Sequence, residues 1–154
     1  MRNLKRSKKW SELVDRYAVN PHPRTNRSIF PTIREFVAFA AVIGVAMDRK
    51  GTLDSSCDEL DSRNYTINDS FMDTIFMIAL SEVGSPEVLL ESREEEMIAI
   101  FESYCEGGFS VIKEWQRETP ADPYGEDVLV NGLNSLGVLT AIPDTDQLMD
   151  TVRF

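Results

Sequence analysis

The chain has 154 residues, 42% of them hydrophobic, and carries a formal net charge of −10 at pH 7. One domain is expected at this length, and such a chain can bury a core without disulfides or structural metals. Its two cysteines are too few for a disulfide framework or a zinc site, no apolar run reaches the roughly 20 residues of a membrane span, and the basic N-terminus lacks the apolar segment of a secretory signal, so we expect a cytoplasmic protein.

The net charge conceals an asymmetry between the two ends of the chain. Residues 1–27 contain eight Lys or Arg and two Asp or Glu, a net of +6, whereas residues 28–154 contain the other eight bases and 24 acids, a net of −16. A basic segment on an acidic body is typical of chains that touch nucleic acid, and only that segment could approach DNA. The alternative is that this segment packs against the acidic body of its own fold or of a partner. Residues 1–6 could form a flexible basic arm.

The first helix is predicted over residues 7–19. Its apolar stripe follows the spacing i, i+3, i+4 and i+7 and consists of Trp10, Leu13, Val14 and Tyr17. Residues 20–31 contain three prolines and should form a loop.

The proline-rich loop carries three residues that could bind a ligand. His22 has no neighbouring cysteine or carboxylate in sequence, which favours a solvated or capping residue over an acid or base. Arg24 and Arg27 are the better candidates, because they belong to an exposed segment beside the basic first helix.

Residues 32–47 are apolar nearly all the way round and predict a buried central helix around which the other elements pack. Thr32 and Glu35 have the spacing of a capping box at its start. Arg49, Lys50 and Gly51 mark its end, as cations near the negative helix terminus followed by a residue that tolerates left-handed geometry.

The second half of the chain predicts further helices. We expect a polar connection over 51–68 with an extended piece at 65–67. A helix over 70–83, capped by Asn68 or Asp69, should end at Gly84 and be followed by a short helix from Pro86. A capping box of Ser92 and Glu95 should open a helix that ends at Cys105. The later elements are a break at 107–108, helices over 109–115 and 124–136 (with 128–130 also compatible with a strand), and a short turn or helix at 146–151. The predicted fold is therefore one all-α domain over 1–154, with six to seven helices.

The sequence shows no catalytic signature and implies no cofactor. It contains neither a phosphate-binding glycine-rich loop nor a nucleophile elbow, and its carboxylates are scattered over helix starts and loops. An enzyme that uses the acids of 51–68 with a metal is the least favoured hypothesis, because their spacing does not match a calcium loop. We therefore predict no catalytic residue and no metal ligand.

Four blocks of sequence resemble a family of small bacterial proteins associated with DNA phosphorothioation, the sulphur modification of the DNA backbone. The blocks are KKWSEL (8–13), REFVAFAAVIG (34–44), MIALSEVGSPEVLL (77–90) and IFESYCEGGF (100–109), and the likeness covers roughly residues 8–118. This resemblance implies an accessory factor of an antiviral restriction–modification system that tells sulphur-marked self DNA from foreign DNA. It supplies no catalytic residues.

Two functions follow as expectations. The first is a non-enzymatic accessory protein that binds larger restriction or modification subunits and contacts phosphates of double-stranded DNA, without base readout, through Lys5, Arg6, Lys8, Lys9, Arg24 and Arg27. The second is an acidic interaction module, or DNA-mimic inhibitor, that docks on a basic groove of its partner, with Glu94, Glu95 and Glu96 on the docking face. The sequence leaves the oligomeric state open.

Overall fold

The computed structural model of the chain describes residues 1–137, which contain six α-helices and one two-stranded sheet. The elements in chain order are β1 (Leu4–Ser7), α1 (Ser11–Ala18), α2 (Ile33–Ala46), β2 (Cys57–Leu60), α3 (Ser62–Tyr65), α4 (Asp69–Val83), α5 (Glu94–Glu118) and α6 (Glu126–Ser135). The all-α prediction is confirmed, with the small sheet as an addition, and residues 128–130 are helical. The element expected at 146–151 lies outside the described residues.

Helices α2 and α5 form the centre of the fold and touch through their backbones. A Cβ atom placed at Gly108 would overlap the carbonyl oxygen of Ala40, and one at Gly44 would overlap that of Tyr104. The predicted helix break at 107–108 is therefore wrong. These glycines lie inside the continuous helix α5, where the lack of a side chain permits close approach and outweighs the helix propensity lost relative to alanine.

The central helix contacts α1, α4 and α5 but is not buried all the way round, which corrects the prediction that its neighbours surround it completely. Its buried positions face α5 and the core and are Phe36, Val37, Ala40, Ala41, Ile43 and Gly44. On the opposite side Val42 is 50% exposed, and Met47, just beyond the helix end, is 37% exposed. Part of the outer face therefore stays open although it is apolar, whereas Phe39 packs against Phe30.

The first residues form a strand rather than a flexible arm or the start of a helix. Strand β1 pairs antiparallel with β2, with Leu4 opposite Leu60 and Ser7 opposite Cys57. Leu4 belongs to the hydrophobic core. The helix expected from Ser7 begins at Ser11 instead.

Two buried glutamates of α5 hold this strand in place. Glu102 accepts the backbone N–H of Lys5 at 2.7 Å, and Glu106 accepts the backbone N–H of Ser7 at 3.1 Å. The Ser7 hydroxyl and the indole N–H of Trp10 also donate to Glu106. Because an unpaired buried carboxylate is costly, these donors account for acids at core positions of the helix.

Three predicted helix ends are confirmed. Thr32 and Glu35 form the reciprocal capping box at the start of α2. The side chain of Asn68 accepts the N–H of Phe71 at the start of α4, which ends at Gly84 in left-handed geometry with φ = 72°.

Three other predictions near helix ends are wrong. Ser92 and Glu95 form no capping box, because no side chain caps α5. The left-handed position after α2 belongs to Asp48, with φ = 48°, rather than to Gly51. Residues 65–67, expected to be extended, lie at the end of α3 and in the turn after it.

Candidate functional site

The four predicted DNA-binding cations near the N-terminus divide into two kinds. Lys5 and Lys8 are exposed and make no ion pair within residues 1–137. Arg6 lies 3.5 Å from Asp58, with its side chain only 14% exposed. The strand and the turn that follows it thus present two unpaired ammonium groups and use the arginine to join β1 to β2.

Lys9 is also engaged within the chain. Its ammonium group lies 3.5 Å from Asp54 and 5.0 Å from the centroid of the Trp10 ring. Both side chains of this ion pair are about half exposed, so the pair is weak and a phosphate could displace Asp54.

The two predicted cations of the loop lie at the opposite end of α1, which is about 12 Å long. Arg24 pairs with Glu126 at 2.7 Å, although its side chain is 77% exposed. Arg27 is exposed and has no ion pair in the described part of the chain. The six predicted residues therefore form two groups at the two ends of one helix rather than one continuous patch.

His22 is buried, so the predicted solvated residue is wrong, whereas the alternative of a capping residue fits the backbone N–H that its ring accepts. Its side chain is 7% exposed, and its ring lies 5.2 Å from that of Tyr124. Nδ1 accepts the backbone N–H of Arg24 at 3.1 Å. Nε2 lies 3.1 Å from Glu126 Oε2 but makes no hydrogen bond, because the ring N–H is not directed at that oxygen.

The loop borders an open cavity of about 720 Å³ beside His22. Its wall contains both predicted loop arginines and is formed by His22, Arg24, Thr25, Arg27, Ser28, Ile29, Pro31 and Glu126. A smaller cavity of about 240 Å³ adjoins it, shares His22 and Ile29, and includes Arg16 in its wall.

Sequence reasoning missed the buried ion pair between Arg2 and Glu102. The guanidinium group donates to both carboxylate oxygens at 2.6 and 2.9 Å, and Glu102 is 3% exposed. Hydrogen bonds to this carboxylate raise the pKa of Arg2. The signal was present in the sequence, because Glu102 and Glu106 are four residues apart on the helix face that also carries Ile98 and Cys105.

The three glutamates assigned to the docking face of an acidic inhibitor are each engaged by a cation of the same chain. Glu94 lies 3.6 Å from the N-terminal ammonium group of Met1. Glu95 pairs with Arg2, and Glu96 pairs with Arg93, at 2.8 and 2.7 Å respectively. This part of α5 therefore presents little uncompensated negative charge.

The acids of 51–68 are dispersed over separate contacts. Asp54 and Asp58 face Lys9 and Arg6, and Glu59 accepts from Asn3. Asp61 accepts from the side chain and backbone of Arg63, and these hydrogen bonds lower the pKa of Asp61 to about 2. Within residues 1–137 no group of three or more His, Cys, Asp or Glu side chains is arranged to hold a metal ion.

The two cysteines differ in accessibility. Cys105 is buried against the carbonyl group of Val37, and burial raises the pKa of its thiol well above the ordinary value. Cys57 is half-buried on β2. The buried thiol is an unsuitable nucleophile, because the thiolate is the reactive form.

A groove with apolar walls runs between α2 and α4. Val42 and Val45 line it on one side and Thr74, Met77 and Ile78 on the other, around a volume of about 310 Å³. A second hollow of about 260 Å³ continues the groove toward the starts of both helices and shares Thr74.

The rim of the groove combines exposed apolar and acidic side chains. Met77 is 69% and Val42 is 50% exposed. Asp73 lies one turn before Met77 on α4, is exposed, and makes no ion pair within the described residues. Contiguous exposed apolar surface with a polar rim is typical of interaction sites.

Comparisons with known proteins show one family. Within residues 1–137 no helix combines the length and the hydropathy that crossing a membrane requires. No curated protein and no solved structure matches the chain. The family model described as DNA sulphur modification system-associated protein 4 matches residues 3–133, which is most of the chain. The chain therefore belongs to the family of DNA sulphur modification system-associated protein 4.

Proposed function

We propose that the protein is a non-enzymatic accessory factor that binds a protein subunit of a DNA sulphur modification system through the groove between α2 and α4. In this role it would support the restriction of foreign DNA, as the resemblance implies. The single observation that carries the proposal is the open apolar face of the central helix, with Val42 half exposed opposite Met77.

The shape of the groove supports a helix as its occupant. The wall residues on α2 and on α4 recur every three or four positions, and the two hollows together follow about three turns of each helix. An amphipathic helix lays apolar residues at i, i+3, i+4 and i+7 into such grooves. Thr74 and Ser81 have short, uncharged side chains, so they leave room for a helix between the two walls.

The acidic residue beside the groove indicates the charge of that helix. Asp73 has no cation partner within residues 1–137, so a Lys or Arg beside the apolar anchors of the partner would complement it. We therefore expect a partner helix that is apolar on one side and basic at one edge.

Co-expression with the protein components of the sulphur modification system tests this proposal. Val42→Asp and Met77→Asp should each abolish capture of one component, because a carboxylate would be buried in the apolar contact. Val130→Asp is the matched control, since Val130 is 47% exposed on α6 and outside the groove.

Two outcomes would contradict this proposal. One is equal capture by the groove variants and the control. The other is a change in oligomeric state, measured by light scattering, in the groove variants alone, which would mean that a second copy of the chain occupies the groove.

A second candidate function is contact with DNA phosphates at the basic end of the chain. Its support is that Lys5 and Lys8 are exposed without an acidic partner among the described residues, and that Arg27 is likewise unpaired at the far end of α1. Binding of this kind depends steeply on salt, because it releases counterions from DNA.

Gel shifts with a short DNA duplex at about 50 and about 200 mM salt test the second function. Lys5→Ala and Lys8→Ala should each weaken binding at the lower salt and reduce the slope of log affinity against log salt by about one. Lys113→Ala is the control, because this lysine is exposed on α5 without an ion pair in the described region. Absence of binding at the lower salt would remove this function.

A further inference from the structure

The loop over residues 20–31 contains a buried hydrogen-bond donor whose nearest acceptor among the described residues is poorly aligned with it. Because His22 Nδ1 accepts the N–H of Arg24, the proton of the neutral imidazole resides on Nε2. That N–H makes no hydrogen bond, although the side chain is 93% buried. Buried donors without an aligned acceptor are uncommon, and the nearest oxygen to this one, Oε2 of Glu126 at 3.1 Å, does not lie along its N–H.

A second orphan donor lies in the wall of the adjoining cavity. Nε of Arg16 is buried and has no hydrogen-bond partner, while Nη2 of the same group donates to the carbonyl oxygen of Asp122. The two cavities share His22 and Ile29 in their walls and therefore adjoin, and together they form the hollow at this loop.

The hollow is locally positive on an otherwise acidic protein. Arg16, Arg24 and Arg27 line it, whereas Glu126 is the carboxylate among the residues in its walls. The loop is held in shape because the N–H of His22 donates to the carbonyl oxygen of Arg27 at 2.8 Å. The cations are therefore presented by a fixed turn.

We propose that this hollow binds a phosphate group, and that Glu126 competes with the phosphate for Arg24. Glu126 lies 2.7 Å from Arg24 and 3.1 Å from His22, so its carboxylate stands beside both donors. A phosphate oxygen can accept from the Nε2–H of His22, which Glu126 does not, and three arginines supply the charge. This site is separate from the groove between α2 and α4. Where the phosphate belongs to DNA, the proposal rests on the second candidate function.

The histidine itself provides the readout, because it is the only one in the chain. Titration of the full-length protein with inorganic phosphate, and separately with a short DNA duplex, should move the imidazole NMR signals of His22 in a saturable manner. A response to inorganic phosphate alone identifies a small phosphate ligand, whereas a response that includes the duplex identifies the DNA backbone. Either response supports the site.

Glu126→Gln removes the competing charge. It should tighten binding several-fold for whichever probe, inorganic phosphate or the duplex, shifts the His22 signals in the wild type. Glu91→Gln makes the same change in net charge at an exposed position outside both cavities and should leave the affinity unchanged. His22→Asn should weaken binding, because the Asn side chain can still accept the N–H of Arg24 but lacks the Nε2 donor. Circular dichroism establishes that each variant retains the wild-type helix content.

The proposal is overturned if the His22 signals show no saturable shift with either probe, both in the wild type and in the Glu126→Gln variant. It is also overturned if Glu126→Gln and Glu91→Gln change the affinity equally, because only net charge would then matter. Duplex binding that is lost in Lys8→Ala but unchanged in His22→Asn would leave the second candidate function intact and remove this site.

Discussion

The two cationic regions of the chain look alike in sequence and differ in structure. In the N-terminal region Arg2 reaches the buried Glu102, and Arg6 joins the two strands at Asp58. In the loop region Arg27 is unpaired among the described residues, and Arg24 keeps its side chain 77% exposed. A basic cluster can therefore be part of the fold or part of a surface, and the difference depends on whether acids lie beneath it.

Removal of the buried carboxylate is the largest perturbation that this comparison predicts. Glu102→Ala should lower the free energy of unfolding by about 3 kcal/mol, because it leaves Arg2 and the N–H of Lys5 without their acceptor. Urea denaturation measures the loss.

Glu95→Ala is the control, since Glu95 binds the same arginine with its side chain 74% exposed. It should cost less than about 1 kcal/mol. Equal losses in the two variants would mean that burial does not distinguish the two ion pairs.

The N-terminal region should also make the protein sensitive to alkaline pH. The hydroxyl of Tyr65 donates to the carbonyl oxygen of Arg2, and burial raises the pKa of Tyr65 from 10.0 to about 12. Between these values the unfolded chain releases the phenol proton and the folded chain keeps it, so stability that is present below pH 10 falls as the pH rises.

Urea denaturation at several pH values between 10 and 12 measures this decline. Tyr65→Phe should make it shallower, at a cost of about 1 kcal/mol at neutral pH for the lost hydrogen bond. A residual decline should remain, because the hydrogen bond to Glu82 raises the pKa of Tyr104 to about 12 as well. Tyr124→Phe, at a half-exposed ring, should leave the decline as it is in the wild type. A decline that is as steep in Tyr65→Phe as in the wild type would contradict the assignment.

In the loop region, removal of a cation should affect ligand binding rather than the free energy of unfolding. Arg27→Ala should change the free energy of unfolding by no more than about 0.5 kcal/mol, because its side chain is exposed and unpaired within residues 1–137. If the loop contacts DNA, the same change should reduce the salt dependence of binding by about one phosphate contact. A stability loss as large as that of Glu102→Ala would place Arg27 among the structural cations.

The smallest effect on stability is expected in the groove. Met77→Ser should alter the free energy of unfolding by no more than about 0.5 kcal/mol, since Met77 is 69% exposed, yet it should weaken capture of the partner subunit. Thermal unfolding and co-purification measure the two quantities on the same sample. Unchanged capture would argue against the groove as the docking site.

Local signals predicted the helices and several of their ends. The capping box at Thr32 and the stop at Gly84 depend on residues within one turn of each helix, so the sequence carries them directly. Local signals could not predict that two of the expected helices form the single helix α5. This continuous helix depends on the backbone of α2 lying against Gly108, which is a tertiary contact.

The candidate sites were less predictable than the fold. Strand β1 is four residues long and gains its stability from Glu102 and Glu106, about 100 positions away in the chain. His22 has no carboxylate near it in sequence, but Glu126 approaches it in space. The apolar composition of α2 predicts burial on every side, but composition alone does not say whether a neighbour covers a given face.

The unequal burial of the two thiols has a practical consequence. A maleimide fluorophore should react at Cys57 and spare Cys105, so the unmodified sequence offers a single labelling position. Because Cys57 stands opposite Ser7 in the sheet, that dye would report when the first strand detaches. Separation of β1 from β2 could thus be followed in real time, independently of global unfolding.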